Sequence, residues 1–151
     1  MSQRMTENEG GYLKLIHRRQ VEEDRELGTT EIAEIFNVQP ATVTEVLQKL
    51  AYKNLVVYQP YRGVQLTEPG LQEAKELLRG HRLLEILPVN HLRYGVQEAC
   101  REASRLDHHT SKKMVNKISE AYDHPKLCPC NKTVFADKVC RAYSDDFGKP
   151  E

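Results

Sequence analysis

The 151-residue sequence lacks the features that identify several classes of protein. Lys and Arg number 22, as do Asp and Glu, so the net charge is zero and any basic surface must be local. No apolar run approaches the roughly 18 residues that a membrane span requires. The start, MSQRMTENEGG, also lacks the apolar centre of a signal peptide. We therefore expect an ordered cytoplasmic protein with no membrane partner.

Signs of an enzyme are also missing. No glycine-rich phosphate-binding loop stands out, and no nucleophile is paired with a base, so we expect no catalytic activity. Cysteine, in contrast, is present at four positions, Cys100, Cys128, Cys130 and Cys140. In a cytoplasmic chain these are more typical of thiols or metal ligands than of a disulfide framework.

The first part of the chain has the pattern of a helix-turn-helix. Residues 12–22 are amphipathic, and Thr29 or Thr30 can cap a second helix whose buried side is formed by residues 32, 33, 35 and 36. After the short turn NVQP, Pro40 opens a third helix that runs to about Lys53. Two β-rich runs, 55–58 and 64–66, flank a Pro- and Gly-containing turn and predict a hairpin. A hairpin directly after a helix-turn-helix is typical of a wing.

Hydrogen-bonding side chains lie at the start and on the outer side of the third helix. Such side chains suit the reading of base edges in a major groove. We predict DNA contacts from Gln39, Pro40, Thr42, Thr44 and Gln48, and a phosphate contact from Arg62 at the tip of the wing. The alternative is a small α/β unit that has the same helix pair and hairpin but binds no DNA.

The second part of the chain predicts long helices. Thr67 can cap the first, which Pro88 ends, and the second extends from about Tyr94 to Tyr122. The apolar stripe of the second helix comprises Ala99, Ala103, Leu106 and Met114. The fold class is therefore mainly α with a small β-hairpin. We expect a winged helix-turn-helix over residues 1–68 and a helical dimerisation domain with a cysteine-containing, loop-rich tail over residues 69–151.

The segment EACREASRLDHH carries polar side chains at helical spacing. Cys100, Ser104, Asp107 and His108 fall at i, i+4, i+7 and i+8 and so share one stripe. This stripe suggests a metal site.

The sequence resembles the diphtheria-toxin-repressor and manganese-transport-regulator family of metal-dependent repressors. The resemblance covers about residues 12–130, through TTEIAEIFNVQPATVTEVLQKLAYKNLVVYQPYRGVQLTEPG, HRLLE, EASRLDHHTS and HPKLCPC. It implies a winged helix-turn-helix followed by a helical dimerisation and metal-binding domain, with double-stranded DNA and a second copy of the chain as partners. The third, SH3-like domain of some members is not expected here.

The resemblance implies one intact metal site. His81 and Glu85, at i and i+4, can hold one ion together, and Cys100, at a place often held by His, can be a third ligand. The alternatives are a solvated ion pair for His81 and Glu85 and a small buried hydrophobe for Cys100.

A second family site would use Asp107 and His108. This site also needs two ligands near the N-terminus, an acid or Met and a second acid. Here those two positions are Gly11 and Lys14. A lysine beside a divalent ion is unfavourable, so this site is depleted or rebuilt, or the pair is ordinary surface. Ser104 stands where the family has a Cys or Glu ligand.

The late cysteines depart from the family pattern. Where the family often has CPHG, this chain has CPCN, and Cys128, Cys130 and Cys140 form C-x-C-x9-C. Thiolates favour zinc, iron or an iron–sulfur cluster over manganese. Cys100 is the preferred fourth ligand, and a histidine such as His124 or a residue of a partner subunit is the alternative. Unconnected tail cysteines and a redox switch through Cys128 and Cys130 are the alternatives.

These observations predict a metal-responsive transcription regulator that acts as a homodimer on a palindromic operator. Iron is the expected metal because sulfur replaces oxygen ligands, with manganese or zinc as alternatives. One competing hypothesis is a regulator that senses an iron–sulfur cluster or thiol redox state. Another is a metal- or cluster-carrying interaction protein that does not bind DNA.

Overall fold

The computed structural model describes residues 4–136, which form seven α-helices, one π-helical turn and one two-stranded sheet. The chain folds into two compact units, one on either side of the Lys75–Glu76 bond. The elements, in chain order, are α1 (Glu7–His17), the π-helical turn (Arg18–Glu22), α2 (Thr29–Phe36), α3 (Pro40–Tyr52), β1 (Val56–Gln59), β2 (Gly63–Leu66), α4 (Glu68–Leu84), α5 (Ile86–His91), α6 (Val96–Leu106) and α7 (Lys112–Ala121).

Local signals fix the helices of the first unit. Thr6 and Glu9 form a capping box at the start of α1, each side chain bonding the backbone N–H of the other residue. Helix α2 ends at Asn37, whose left-handed conformation (φ 52°) turns the chain toward α3. Pro40 occupies the first position of α3, where its missing N–H costs no intrahelical bond. The helix-turn-helix thus arises from its caps and its turn.

The core of the first unit joins α1, α2 and α3. The Tyr12 ring stacks on Phe36 with centroids 4.5 Å apart. The other fully buried apolar side chains here are Leu13, Ile16, Ile32, Val43, Leu47 and Leu50. They recur at helical spacing and leave the opposite face of α3 to solvent.

The hairpin is antiparallel, with Val56 opposite Leu66 and Gln59 opposite Gly63. Gly63 has a φ of +93°, a conformation that glycine adopts without steric cost. Directly after β2, the Thr67 hydroxyl accepts a bond from the Gly70 N–H and caps α4, as predicted from the sequence. A Cβ at Gly70 would lie 1.8 Å from the Leu55 carbonyl oxygen, so the first turn of α4 packs directly on backbone.

In the second unit, Leu83, Ile86 and Val115 form a buried cluster that Ile118, Tyr122 and Val134 cover. Ala99 and Ala103 are fully buried, as the apolar stripe predicted. Leu106 and Met114, assigned to the same stripe, are instead about half exposed.

Three predicted helix boundaries were wrong. The helix expected from Tyr94 to Tyr122 is two helices, because Ser111 caps α7 by accepting from the Met114 N–H. Pro88 does not end α4, which stops at Leu84; it lies in the first turn of α5, where its missing N–H is tolerated. Helix α2 is also preceded by Gly28 at its N-cap, with Thr29 as the first helical residue.

Among residues 123–136 the chain forms no helix, and an isolated bridge joins Leu127 to Thr133. None of the helices in the described part of the chain has the length and the hydropathy that a membrane span needs. The predicted fold class, mainly α with one small hairpin, is confirmed.

Candidate metal centre and recognition helix

Three side chains of the second unit converge around His81. The last turn of α4 carries His81, and Glu85 follows four residues later, so the two share one helix face. His81 Nε2 lies 2.8 Å from Glu85 Oε1 and 3.3 Å from Cys100 Sγ on α6. His81 Nδ1 lies 3.1 Å from Asp107 Oδ2. All three histidine contacts are thus to groups that bind metals or orient metal ligands.

This arrangement fits a metal ion at Nε2. If Nδ1–H donates to Asp107, then Nε2 presents a lone pair to Glu85. A lone pair and a carboxylate oxygen 2.8 Å apart need a proton or a cation between them. An outer carboxylate that fixes the imidazole tautomer is typical of histidine ligands. His81 and Glu85 are nearly fully buried, at 1% and 2% exposure, so the charge is not shielded by bulk water.

Glu85 also faces two thiols. Its second oxygen, Oε2, accepts a bond from Cys130 Sγ at 3.1 Å. The ligand atoms of Glu85, Cys128 and Cys130 all lie within 4.8 Å of one another, and those of His81, Glu85 and Cys100 meet the same limit. The carboxylate of Glu85 therefore belongs to both groups.

Burial and charge set the protonation of these side chains. Burial raises the pKa of Cys130 to about 12, and the neighbouring Glu85 carboxylate acts in the same direction. Burial also raises the pKa of Cys128. In Glu85 burial opposes ionisation, but the contacts with His81 and Cys130 outweigh it and hold its pKa below the usual value. Neutral thiols therefore surround an ionised carboxylate, and a coordinated divalent cation would remove the thiol protons.

A tight loop over residues 126–134 carries the two thiols. The Cys128 N–H donates to the Lys132 carbonyl, and Asn131, in the left-handed region at φ 60°, donates its N–H to the Cys128 carbonyl. Arg82 on α4, itself buried, donates to the Thr133 carbonyl at 2.7 Å. The loop is therefore held against the helix that bears His81.

The remaining predicted ligands lie differently. His108 is half-buried, and its ring contacts His109 edge to face. Ser104 is exposed and donates its hydroxyl bond to the Cys100 carbonyl. Cys140 lies outside the described residues.

The predicted DNA-contacting residues lie at the start and outer face of α3 and at the wing. Gln39 is the exposed N-cap residue of α3, Pro40 is exposed in its first turn, and Thr42 and Gln48 are exposed. Thr44 is half-buried, and its hydroxyl donates to the Pro40 carbonyl, so that hydroxyl is already engaged within the helix. Arg62 is exposed in the hairpin turn.

Sequence reasoning missed three features of these sites. The double role of Glu85 depends on a loop more than 40 residues away in the chain, so no local pattern could reveal it. Arg82 had no functional signal in the sequence, yet it anchors the thiol loop. Tyr61, beside Arg62, is fully exposed at the hairpin tip, and its position in a predicted turn was the available signal.

A winged helix-turn-helix joined in one chain to a buried His and Glu pair and a half-buried Cys defines a metal-dependent DNA-binding regulator. Two family models match: "Iron dependent repressor, N-terminal DNA binding domain" over residues 4–64, and "Iron dependent repressor, metal binding and dimerisation domain" over residues 67–136. The chain belongs to this family, the diphtheria-toxin-repressor and manganese-transport-regulator group. The predicted family is therefore confirmed, as is the predicted role of metal-dependent DNA-binding regulator with a dimerisation domain.

Individual relatives agree with this assignment. The chain is 34% identical to a helix-turn-helix-type transcriptional regulator of Methanocaldococcus jannaschii, over 76% of this chain and 91% of that protein. It is 34% identical to the regulator MntR of Geobacillus kaustophilus, over 66% of this chain and 70% of that protein. A solved manganese-dependent transcriptional repressor in complex with manganese superimposes with a TM-score of 0.79 at 31% identity, over 85% of this chain. The chain spans 58% of the length of that repressor.

Proposed function

We propose that this chain is a cytoplasmic, homodimeric repressor whose affinity for a palindromic operator depends on a metal ion held by His81, Glu85 and Cys100. The observation that carries the proposal is the position of His81 Nε2, which faces Glu85 Oε1 and Cys100 Sγ. The other ring nitrogen, Nδ1, contacts Asp107 Oδ2. The winged helix-turn-helix of residues 1–68 would contact DNA, and residues 69–151 would dimerise and bind metal.

The mechanism is a thermodynamic linkage. The ion would supply a positive charge among the three donors, which lie on α4, just after it and on α6. Within this mechanism Asp107 orients the imidazole, Glu85 supplies the compensating negative charge, and burial excludes bulk water from His81 and Glu85. If metal favours the state that binds DNA, then DNA must tighten metal binding by the same factor.

The donor set supports iron as the first choice of metal. A thiolate and an imidazole are softer than the oxygen donors that manganese prefers, and zinc also accepts this set. Manganese stays an alternative because a relative of similar fold is a manganese complex.

The metal proposal is tested by DNA affinity. Duplexes are first selected from random sequence with the full chain and Fe²⁺ under anaerobic conditions, and affinity is then measured by anisotropy at fixed salt. We expect Fe²⁺ to tighten binding at least about 10-fold, within the usual range of coupling between sites. His81→Ala and Cys100→Ser should each abolish the Fe²⁺ effect. Equal affinity of the wild-type chain with Fe²⁺ and with chelator would refute the proposal.

The recognition helix is tested separately. Thr42→Val removes an exposed hydroxyl, whereas Thr44→Val, the matched control, removes one that is bonded to the Pro40 carbonyl. We expect Thr42→Val to weaken operator binding by about 1–3 kcal/mol, with a smaller effect from the control. Unchanged operator affinity in Thr42→Val and in a Gln48→Ala variant would show that another element reads the bases.

The iron–sulfur alternative makes a different prediction. Anaerobically purified protein would contain acid-labile sulfide, and its visible absorption would disappear in Cys128→Ser and Cys140→Ser variants. Metal without sulfide would support the mononuclear site instead.

A further inference from the structure

The outward face of α3 carries an acid at its centre. Ala41, Glu45, Gln48 and Tyr52 follow one another at i, i+4, i+7 and i+11, and all four are exposed. The four buried residues of α3 lie on the opposite side, at positions 43, 46, 47 and 50. The carboxylate of Glu45 therefore lies in the middle of the stripe that points away from the core.

The two lysines at the C-terminal end of α3 act on a different acid. Lys53 Nζ lies 2.6 Å from the Glu9 carboxylate, and Lys49 also acts on Glu9 through its charge. Lys49 follows Glu45 by four residues, a spacing at which Glu and Lys commonly pair. Within residues 4–136, however, the Glu45 carboxylate forms no ion pair. Helix α3 thus presents an uncompensated negative charge on its outward face.

An acid on a DNA-reading face is unfavourable unless a base donates a hydrogen bond to it. Phosphates line both edges of the major groove and repel a carboxylate. A carboxylate accepts hydrogen bonds and donates none, and the only donors on the major-groove edges are the amino groups of cytosine and adenine. Adenine presents its N7 acceptor beside the amino group, and a carboxylate has no hydrogen for N7. Cytosine presents only its N4 amino group, so it is the base that suits a carboxylate.

We propose that Glu45 selects a cytosine in each half-site of the operator by accepting a hydrogen bond from its N4 amino group. Ala41, one turn earlier on the stripe, is small and lets this part of α3 approach the base edges. The same charge weakens binding to duplexes that lack the cytosine, because phosphate repulsion is then uncompensated. The inference deepens the proposed function and rests on it, since it requires α3 to lie in the major groove.

The test is the base preference of the full chain and of two variants at position 45. Duplexes are selected from random sequence under anaerobic conditions, with Fe²⁺, Mn²⁺ and Zn²⁺ in parallel, so that the choice of metal does not decide the outcome. Wild-type selection should fix one cytosine in each half-site. Selection with Glu45→Gln should fix an adenine there instead, because an amide donates to N7 and accepts from N6. Selection with Glu45→Ala should accept all four bases at that position.

Anisotropy at fixed salt then compares four duplexes that differ only at that base pair. We expect the wild-type chain to bind the cytosine duplex at least about 5-fold more tightly than each of the others, and Glu45→Ala to bind all four within about 2-fold. Glu34→Gln is the matched control, because it removes the same charge from an exposed position on α2. This control should keep the cytosine preference. Position 45 is exposed and glutamine has nearly the shape of glutamate, so Glu45→Gln should keep the wild-type circular dichroism spectrum.

Two results overturn the inference. If Glu45→Gln raises the affinity for all four duplexes equally, the residue acts only through its charge and reads no base. If no selected position changes its base when residue 45 is changed, the contact does not exist. The controls separate this failure from that of the proposed function. A loss of operator affinity in Gln48→Ala with an unchanged base preference in Glu45→Gln overturns this inference alone. Unchanged operator affinity in Gln48→Ala and Thr42→Val, or no enriched sequence with any of the three metals, overturns both proposals.

Discussion

Three potential metal-site groups surround the imidazole ring of His81, and the role of each group follows from the ring nitrogen that it contacts. Nε2 faces Glu85 and Cys100, and Nδ1 faces Asp107. The resemblance suggested Asp107 as a metal ligand, whereas its contact with Nδ1 suits a positioning residue. A positioning residue acts on affinity through the ring, which gives it a distinct mutational signature.

We predict that Asp107→Asn lowers the affinity of the His81 site for Fe²⁺ or Mn²⁺ by about 10–100-fold without changing the stoichiometry, because the outer partner of a histidine ligand sets its tautomer and basicity. Titration calorimetry measures both quantities. Glu98→Gln, an exposed acid in the first turn of α6, is the control and should have little effect. A lost equivalent of metal in Asp107→Asn would identify Asp107 as a direct ligand.

Glu9 gives the first unit a pH-dependent contribution to stability. Its carboxylate is 4% exposed, lies 2.6 Å from Lys53 Nζ, and accepts the Thr6 N–H bond. Burial raises its pKa, but the bonds from Lys53 and Thr6 prevail, and the pKa lies below the ordinary value of 4.5. The stabilisation is therefore complete above the pKa of the unfolded chain and is lost as the pH falls through the lower folded pKa.

We predict that Glu9→Gln lowers the free energy of unfolding by about 2 kcal/mol at neutral pH, the scale of a hydrogen bond to a charged group. Glutamine keeps the capping box, so the variant isolates the charge. Urea denaturation should show the difference from wild type shrinking below about pH 4, as both side chains become neutral. Glu7→Gln, an exposed acid in the same helical turn, should show no comparable loss.

At the residue scale, the sequence identified the ligand types but not all of their partners. His81 and Glu85 share a helix face because their separation is four residues, which a pattern can show. The approach of Cys130 to Glu85 spans 45 residues and depends on the left-handed Asn131 turn and the Arg82 anchor. Asparagine favours such a turn, but no local pattern shows that the turn packs against α4.

At the scale of elements, the wing and α4 are joined by close backbone packing. Gly70 lies in the first turn of α4, and a Cβ there would meet the Leu55 carbonyl at 1.8 Å. The Thr67 hydroxyl spans the same junction, since it donates to the Asn54 carbonyl and accepts from the Gly70 N–H. The junction therefore leaves no room for a side chain.

We predict that Gly70→Ala destabilises the protein by about 3 kcal/mol, the upper part of the range for overpacked sites, because the obstructing atoms are backbone and cannot rotate away. Thermal or urea unfolding measures the loss. Gly28→Ala is the matched control, since a Cβ at Gly28 meets nothing within 4 Å. Equal stability of the two variants would show that α4 shifts without cost.

Element boundaries in the second unit were only partly predictable. Apolar periodicity from 94 to 122 favoured one helix, but α6 ends at Leu106, and Ser111 caps the separate helix α7. Serine is a residue type that caps helices, but the apolar periodicity continues across Ser111 and therefore favours a single helix. The first unit was predicted more closely because its turn proline and its hairpin glycine favour the boundaries that the structure shows.

At the scale of the whole molecule, a DNA-binding chain with no net charge must attract phosphate through local groups. Arg62, which is exposed in the hairpin turn, is the group that we propose for this role. Each neutralised phosphate releases counterions, so a single arginine has a measurable effect on the salt dependence of binding.

We predict that Arg62→Ala weakens binding to operator and to unrelated duplexes alike. The slope of log affinity against log salt should fall in magnitude by about 0.9 for each protomer. Arg105→Ala, an exposed cation of α6, should leave the slope unchanged. A loss confined to the operator would instead indicate that Arg62 reads bases.

Tyr61 stands fully exposed at the hairpin tip, next to Arg62, and the chain contains no tryptophan. A Tyr61→Trp variant would therefore carry a single indole, at the tip of the wing. Its emission could be excited apart from the tyrosines, and a DNA duplex that covers the tip would change both its intensity and its accessibility to iodide. The wing thus offers a site from which optical spectroscopy can time the arrival of this element on DNA, separately from the docking of α3.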